Sequence, residues 1–330
     1  MRIVVAPDSF KGTASAVAVA EAVAAALRAA GHDPVAVPMS DGGEGFLDAL
    51  GGSNRTSSVT GPLGDPVEAR WRLSRGTAVI EMAEAAGLVL AGGAEENNPV
   101  EATTAGVGEL LVTAVESGAR RVIVGVGGSA TTDGGLGALR AMHPTQRFRG
   151  VDLTVACDVR TRFVDAAEVF APQKGASPTQ VEFLRRRLER LAQVYRDESG
   201  VDVTAIDGSG AAGGLAGGLC TIGAELVSGF DLVAEETGLD ECIEGADLVI
   251  TGEGFLDAES FDGKVVGGVA ALCAELGVPC LAVVGEVVDP VPELSPVLTV
   301  VSLVAAFGEE RARADAVDCV VEVVLEHVEH

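Results

Sequence analysis

The sequence predicts an α/β fold of two α/β domains, one built on a Rossmann-like parallel sheet and the second inserted into it, and three observations carry this prediction. Short apolar runs alternate with amphipathic helical stretches at both ends of the chain, the pattern of a parallel sheet covered on both faces. Between them the texture changes to adjacent half-buried strands with no helix between them. Aromatic residues make up only 4% of the 330 residues while 48% are hydrophobic, so Ala, Val and Gly dominate, which suits close packing of helices on sheets.

In chain order, the opening unit reads as strand Arg2 to Ala6, loop Pro7 to Thr13, helix Ala14 to Ala30 and strand Asp33 to Val37. Val17, Ala20, Val23, Ala24 and Leu27 give that helix an apolar stripe, and Gly31 ends it. The middle of the chain reads as strands Val67 to Leu73 and Thr77 to Met82, helix Thr103 to Ser117, strand Arg121 to Val126, helix Leu136 to Met142 and strand Leu153 to Ala156. A long helix, Pro178 to Asp197, carries Arg185, Arg186, Arg187 and Arg190, read as a solvated face rather than an anion site. The last hundred residues return to alternating apolar strands and helices. They read as strand Asp247 to Thr251, helix Val265 to Leu276, strand Pro279 to Val284, a Pro-rich loop Asp289 to Pro296, strand Leu298 to Val301 and a closing helix near Ala314 to His327. The domains are therefore expected at 1–60 plus 228–330 (the discontinuous parallel-sheet domain) and 61–227 (the insert).

A formal charge of −26 argues against nucleic acid and against an anionic membrane as partners, since both attract basic surfaces. No export signal opens the chain, and no apolar run reaches the ~18 residues of a membrane span. The six cysteines lack C-x-x-C spacing and read as reduced, mostly buried thiols, so a cytoplasmic location is expected. The oligomeric state is left open between a monomer and a homodimer.

Against this acidic background the lysines stand out. Of 23 basic residues only Lys11, Lys174 and Lys264 are lysine, and each adjoins a glycine in a loop-like context. Lysine offers a compact charge to phosphate, and a neighbouring glycine lets the backbone approach the same anion.

Gly125-Val126-Gly127-Gly128-Ser129-Ala130-Thr131-Thr132-Asp133-Gly134-Gly135 follows a strand and leads into a helix, the arrangement of an anion site at a helix N-terminus. Ser129, Thr131 and Thr132 add hydroxyls, and Asp133 is placed to hold a magnesium ion. Part of the run also spells G-x-G-x-x-A, the basis of a weaker oxidoreductase reading, but the acidic residue expected ~20 residues on is missing. No Walker A motif occurs. A second cluster, Gly208 to Gly218, implies close approach to a ligand or to another helix. Acidic residues follow several strands: Asp8, then Asp41 and Glu44, then Glu253 and Asp257, at the sheet edge where open α/β folds bind ligands. Four histidines at peripheral positions leave any general-base role to a carboxylate.

Taken as an ordered set, several segments resemble bacterial glycerate kinases of the non-P-loop kind. They are Ala6-Pro7-Asp8-Ser9-Phe10-Lys11-Gly12, Pro38-Met39-Ser40-Asp41-Gly42-Gly43-Glu44-Gly45, Thr60-Gly61-Pro62-Leu63-Gly64, Ile80-Glu81-Met82-Ala83 and Gly127-Gly128-Ser129-Ala130-Thr131. Further on come Ala156-Cys157-Asp158-Val159, Pro172-Gln173-Lys174-Gly175-Ala176, and Ile250-Thr251-Gly252-Glu253-Gly254 with Gly263-Lys264. The resemblance runs from residue 2 to about 285 and includes all three lysines. It implies two α/β domains with the active site in the cleft between them, ATP and magnesium (Mg2+) as cosubstrates, and phosphorylation of D-glycerate or a similar small hydroxy acid at a hydroxyl.

On that resemblance, Gly127, Gly128, Ser129, Thr131, Gly134, Gly135, Gln173, Lys174, Gly213 and Gly214 are expected to bind the nucleotide, with Asp133 and Asp158 near magnesium. Lys11 and Lys264 would neutralise the transferring phosphoryl or the substrate carboxylate, and Asp8 or Asp41 would serve as base. Ser9, Gly42, Gly43, Glu253, Gly254 and Asp257 are expected around the acceptor. The chain departs from the family's usual Arg-Ile-Asp with Phe255-Leu256-Asp257, from its His-Gly-Lys with Asp262-Gly263-Lys264, and in a shorter segment after Asp158. These departures motivate an alternative, a relative that binds a nucleotide or metabolite without turnover.

Overall fold

The computed structural model describes residues 1–10, 12–261, 263–288 and 297–329. Its strands, in chain order, are β1 (Arg2–Val5), β2 (Asp33–Ala36), β3 (Arg55–Thr60), β4 (Pro66–Ser74), β5 (Thr77–Glu81), β6 (Arg121–Gly125), β7 (Asp152–Ala156), β8 (Glu225–Val227), β9 (Leu248–Leu256), β10 (Cys280–Val287) and β11 (Leu298–Ser302). The chain divides into two compact units: Met1–Asp41 and Asp48–Leu50 with Ser228–His330, and Gly42–Leu47 with Gly51–Val227.

In the first unit the strands run in the order β11-β10-β9-β1-β2, every pair parallel. Helix Ala16–Ala29 connects β1 to β2; the Ser15 hydroxyl caps its N-terminus, accepting from the Ala18 N–H at 3.2 Å. Its buried stripe is Val19, Ala20, Val23, Ala24 and Leu27, with Val19 taking the place expected for Val17. Val19, Ala20, Val23 and Leu27 of this stripe pack with Ile3, Val5, Ile250, Leu281 and Val283 and with Val320, Val323 and Val324 of the closing helix Ala316–Glu329. Val266 of helix Val265–Leu276 packs with Leu256, Ala282 and Val284 in a second cluster. Strand β9 does not stop at Thr251 as the apolar run suggests. It continues because β10 keeps pairing with it, through Phe255 opposite Glu286 and Leu256 opposite Val287, so Glu253 sits on the strand rather than in a loop after it. The Pro-rich stretch Asp289 to Pro296 lies outside the described residues.

The second unit holds a sheet in the order β3-β4-β5-β6-β7-β8. The β3–β4 and β4–β5 pairs are antiparallel and the remaining three pairs parallel. Strand β3 escapes an apolar-run reading because Arg55-Thr56-Ser57-Ser58 is polar. It forms by pairing with β4, where the Trp71 indole N–H donates to Ser57 Oγ at 3.0 Å. Trp71, Ile80, Leu110, Leu111, Val122, Val124, Val155 and Leu215 share the main core of this unit. Helix Pro178–Ser199 opens on a capping box of Ser177 and Gln180 and buries Leu184, Leu188, Leu191 and Tyr195. Arg185 and Arg186 pair with Glu182 on its outer side, as a solvated face requires.

The second glycine cluster is resolved by packing. Ala212, Gly213 and Gly214 all have positive φ (53°, 65° and 92°), which carries the chain into helix Ala211–Cys220 against the first glycine run. A Cβ on Gly213 would lie 2.0 Å from the Thr131 carbonyl oxygen. Gly213→Ala therefore meets both a left-handed backbone and a clash with main chain. It is expected to lower stability by about 2–3 kcal/mol, read as a lower urea midpoint with an unchanged m value.

Candidate active site

In the second unit the chain leaves β6 at Gly125 and enters helix Leu136–Ala141 after Gly135. The intervening glycine-rich loop is held through its carbonyl oxygens by side chains from distant segments. Asn97 Nδ2 donates to the Ala130 carbonyl at 3.1 Å, Lys174 Nζ to Thr131 at 2.7 Å, Arg187 Nη2 to Thr132 at 2.6 Å and the Tyr195 hydroxyl to Gly134 at 2.8 Å. Gly127 donates its N–H to the Gly42 carbonyl at 3.0 Å, and a Cβ on it would stand 2.3 Å from Gly43 Cα, so only glycine permits this approach. Gly42 and Gly43, expected around the acceptor, are thus backbone neighbours of the glycine-rich loop.

This loop forms part of the wall of a cavity of about 260 Å³ that is also lined by Gly42, Asp158, Gln173 and Lys174. Gly127, Gly128 and Ser129 contribute from the loop, and Ala211 and Ala212 come from the second cluster. Lys174 is only 3% exposed. Besides the Thr131 carbonyl, its ammonium donates to Ser129 Oγ at 2.7 Å, leaving one of three N–H donors for a ligand. Burial pushes its pKa down from 10.5 to about 7, with the Asp133 charge partly offsetting. A buried lysine poised near neutrality gains charge when an anion enters beside it.

Two expectations are corrected by the geometry. The first turn of helix Leu136–Ala141 is not open to an anion, because the Asp133 carboxylate already occupies it. Asp133 Oδ1 accepts from Gly135 N–H (3.0 Å), and Oδ2 from Gly137 N–H (3.1 Å), Thr104 N–H (2.9 Å) and Thr104 Oγ1 (2.9 Å). With these donors in place, Asp133 is a loop-closing carboxylate and does not fit a magnesium ligand. None of Gly134, Gly135, Gly213 and Gly214 lines the cavity: Gly134 and Gly214 pack on each other and on Phe163, with a Cβ on Gly214 2.8 Å from Gly134 Cα, while Gly213 packs on Thr131 and Thr132 and Gly135 on Leu215 and Gly218. Thr131 is fully buried, with its carbonyl on Lys174. Asp158 does line the cavity. Among the described residues no cluster of three or more His, Cys, Asp or Glu is arranged to hold a metal by itself.

In the first unit, β1 leads by its crossover to β2 on one side, while β9 leads to β10 and β11 on the other. The carboxyl ends of β1 and β9 therefore flank a topological switch point, where open α/β sheets bind ligands. Asp8 and Ser9 follow β1, and the Asp8 N–H donates to the Gly252 carbonyl of β9 at 2.8 Å. Glu253 and Gly254 belong to β9, and Asp257 follows it. Asp8 is 7% and Glu253 8% exposed. Asp8 Oδ1 accepts from the Ser9 N–H at 2.6 Å, and Asp257 Oδ1 from the N–H and hydroxyl of Ser260 at 3.0 and 3.3 Å. Lys264 stands at the head of helix Val265–Leu276, 3.4 Å from Glu259. Asp41 ends the first segment of this unit, and its charge reaches Glu253. Lys11 and Asp262 lie outside the described residues.

The family model of the glycerate kinase family matches residues 3–145 and 143–325. The chain belongs to this family. Glycerate 2-kinase of Escherichia coli K12 is 39% identical over 331 residues, covering 88% of this chain and 87% of the relative. Glycerate kinase of Halalkalibacterium halodurans is 39% identical over 324 residues, covering 86% and 85%. The crystal structure of a candidate glycerate kinase 2 from Salmonella typhimurium LT2 is 32% identical and superposes with a TM-score of 0.78 over 99% of each chain.

For this glycerate kinase family member, sequence motifs single out Lys174, Ser129 and Asp158 of the cavity wall but miss Asn97, Arg187 and Tyr195. Arg187, placed on the outer face by charge patterning, instead spans two loops, donating to the Val100 and Thr132 carbonyls at 2.6 Å each. The buried lysine makes stability depend on pH. Between about pH 7 and 10.5 the unfolded chain binds a proton at Lys174 that the folded chain does not, so stability rises with pH across that window and is flat below it. Lys174→Met is expected to remove that rise, measured as the wild-type minus variant difference in Tm from pH 7 to pH 10.

Proposed function

We propose that the protein transfers the γ-phosphoryl group of ATP to a hydroxyl of D-glycerate or a closely similar small hydroxy acid. The observation that carries this reading is the buried Lys174 in the wall of a glycine-lined cavity, on a chain whose named relatives are glycerate kinases. A cavity of about 260 Å³ is slightly below the roughly 300 Å³ lower bound of small-molecule sites, which suits the phosphate end of a nucleotide rather than all of it. There the third N–H of Lys174 would meet phosphate oxygen, and Gly128 and Ser129 would allow close backbone approach. Phosphoryl transfer depends on positioning and charge stabilisation more than on covalent chemistry, and a rigid loop with one buried cation supplies both.

Magnesium carried in by ATP keeps most of its waters and needs one or two carboxylates. Asp158 on the cavity wall fits that demand and Asp133 does not. Magnesium would neutralise phosphate charge. The hydroxy acid is assigned to the switch-point residues Asp8, Ser9, Gly254 and Lys264. Six unpaired thiols and a need for ATP suit the cytoplasm.

The purified protein with ATP, magnesium and D-glycerate is expected to release ADP only when the acceptor is present. ATP binding without acceptor-dependent ADP, across a panel of small hydroxy acids, would overturn the reading. Lys174→Ala removes a charge-assisted hydrogen bond and is expected to lower kcat/KM for ATP by about 10- to 100-fold, in steady-state assays with glycerate saturating.

A further inference from the structure

We infer that Glu253 is the general base that accepts the hydroxyl proton of the acceptor as its oxygen attacks phosphorus. The inference rests on the kinase reading above and adds the proton's destination to it. The acceptor oxygen forms a bond to the γ-phosphorus, and the bond from that phosphorus to the bridging oxygen breaks. Its electron pair leaves with ADP, and the hydroxyl proton moves to Glu253, which returns it to solvent once product has gone.

Three geometric facts single out this carboxylate. It stands near the carboxyl end of β9, the central strand of the first unit's sheet, directly beside the switch point. The backbone next to it is fixed from both sides: the Gly252 carbonyl receives the Asp8 N–H at 2.8 Å, and a Cβ on Gly252 would lie 2.1 Å from the Val283 carbonyl oxygen of β10. Finally, Glu253 Oε1 is buried with no hydrogen-bond partner. Its acidic neighbours differ: Asp8 Oδ1 accepts from Ser9, and Asp257 Oδ1 accepts twice from Ser260 in the turn Ala258–Phe261. A buried acceptor left unfilled costs stability, and such groups persist where a ligand completes them. A substrate hydroxyl is the complement that Oε1 lacks.

The electrostatics agree with the geometry. Burial is the largest cause that raises the Glu253 pKa to about 7, and the charges of Asp257 and Asp41 push the same way. The Ser260 hydroxyl and the Lys264 ammonium oppose them and keep part of the population ionised. A base with a pKa near the working pH combines availability with proton affinity.

The test uses the full chain with ATP, magnesium and D-glycerate. Glu253→Gln keeps the shape but cannot take a proton. It is expected to lower kcat by about 10²- to 10⁴-fold, leave KM for ATP within about twofold and abolish the acid limb of the kcat–pH profile near pH 7. A folded E253Q enzyme within about threefold of wild type that keeps this limb would overturn the inference while leaving the kinase reading intact. A wild-type protein inactive on every hydroxy acid would instead overturn the kinase reading, and this inference with it. Should E253Q fail to fold by circular dichroism, Ser260→Ala supplies the second arm. Loss of that hydroxyl disfavours the ionised carboxylate, so the acid limb is expected to move to higher pH, and an unmoved limb overturns the inference.

Discussion

Side-chain capture of the carbonyls of Ala130, Thr131, Thr132 and Gly134 is the constraint on which the second unit's candidate site depends. Glycine-rich backbone has the largest conformational freedom to lose, so a loop of this composition holds one shape only if its polar groups are tied down. Asn97, Lys174, Arg187 and Tyr195 do this from segments 33, 43, 55 and 61 residues away in sequence. Each bond is ordinary. Removing any one leaves a carbonyl in a buried setting without its partner, a cost of about 1–3 kcal/mol. Lys174 is both a member of this set and the cation of the cavity, which couples loop shape to whatever anion the cavity holds.

The same residues show why the site was only partly legible in the sequence. The scarcity of lysine singles out Lys174 without a structure, because only three of the 23 basic residues are lysine and each adjoins a glycine. Asn97, Arg187 and Tyr195 gave no comparable signal, since their partners are backbone carbonyls, and a backbone group leaves no mark in residue identity. Asp133 misled for the complementary reason. A carboxylate after a Gly-Ser-Thr run has the composition of a metal ligand, and only the positions of Thr104, Gly135 and Gly137 reveal that its oxygens close the loop. Most parallel strands are legible as apolar runs, but the three-residue β8 is not, and β3 is polar and exists by virtue of β4.

Glu253 and Lys174 both owe their shifts chiefly to burial. Desolvation raises a carboxyl and lowers an ammonium, so it brings Glu253 and Lys174 toward the same pH from opposite sides. Neither shift needs a special partner. A mostly apolar scaffold rich in alanine, valine and glycine therefore provides responsive groups simply by enclosing them, while its acidic surface keeps stray anions away from the few cations that matter.

The discontinuity of the first unit has a consequence for how the protein is made. Strand β1 takes β9 as one of its two neighbours, with Ile3 opposite Leu248, so its sheet cannot close until the chain has been made through Leu248–Leu256. At ribosomal speeds of about 5–20 residues per second, the nascent Ile3-Val4-Val5 strand waits on the order of ten seconds or more with one edge unpaired. The second unit, almost continuous in sequence, reaches full length first. Translation thus leaves the apolar strand β1 unfinished while the second unit is already complete, and the interval is long enough for a holding chaperone to engage it.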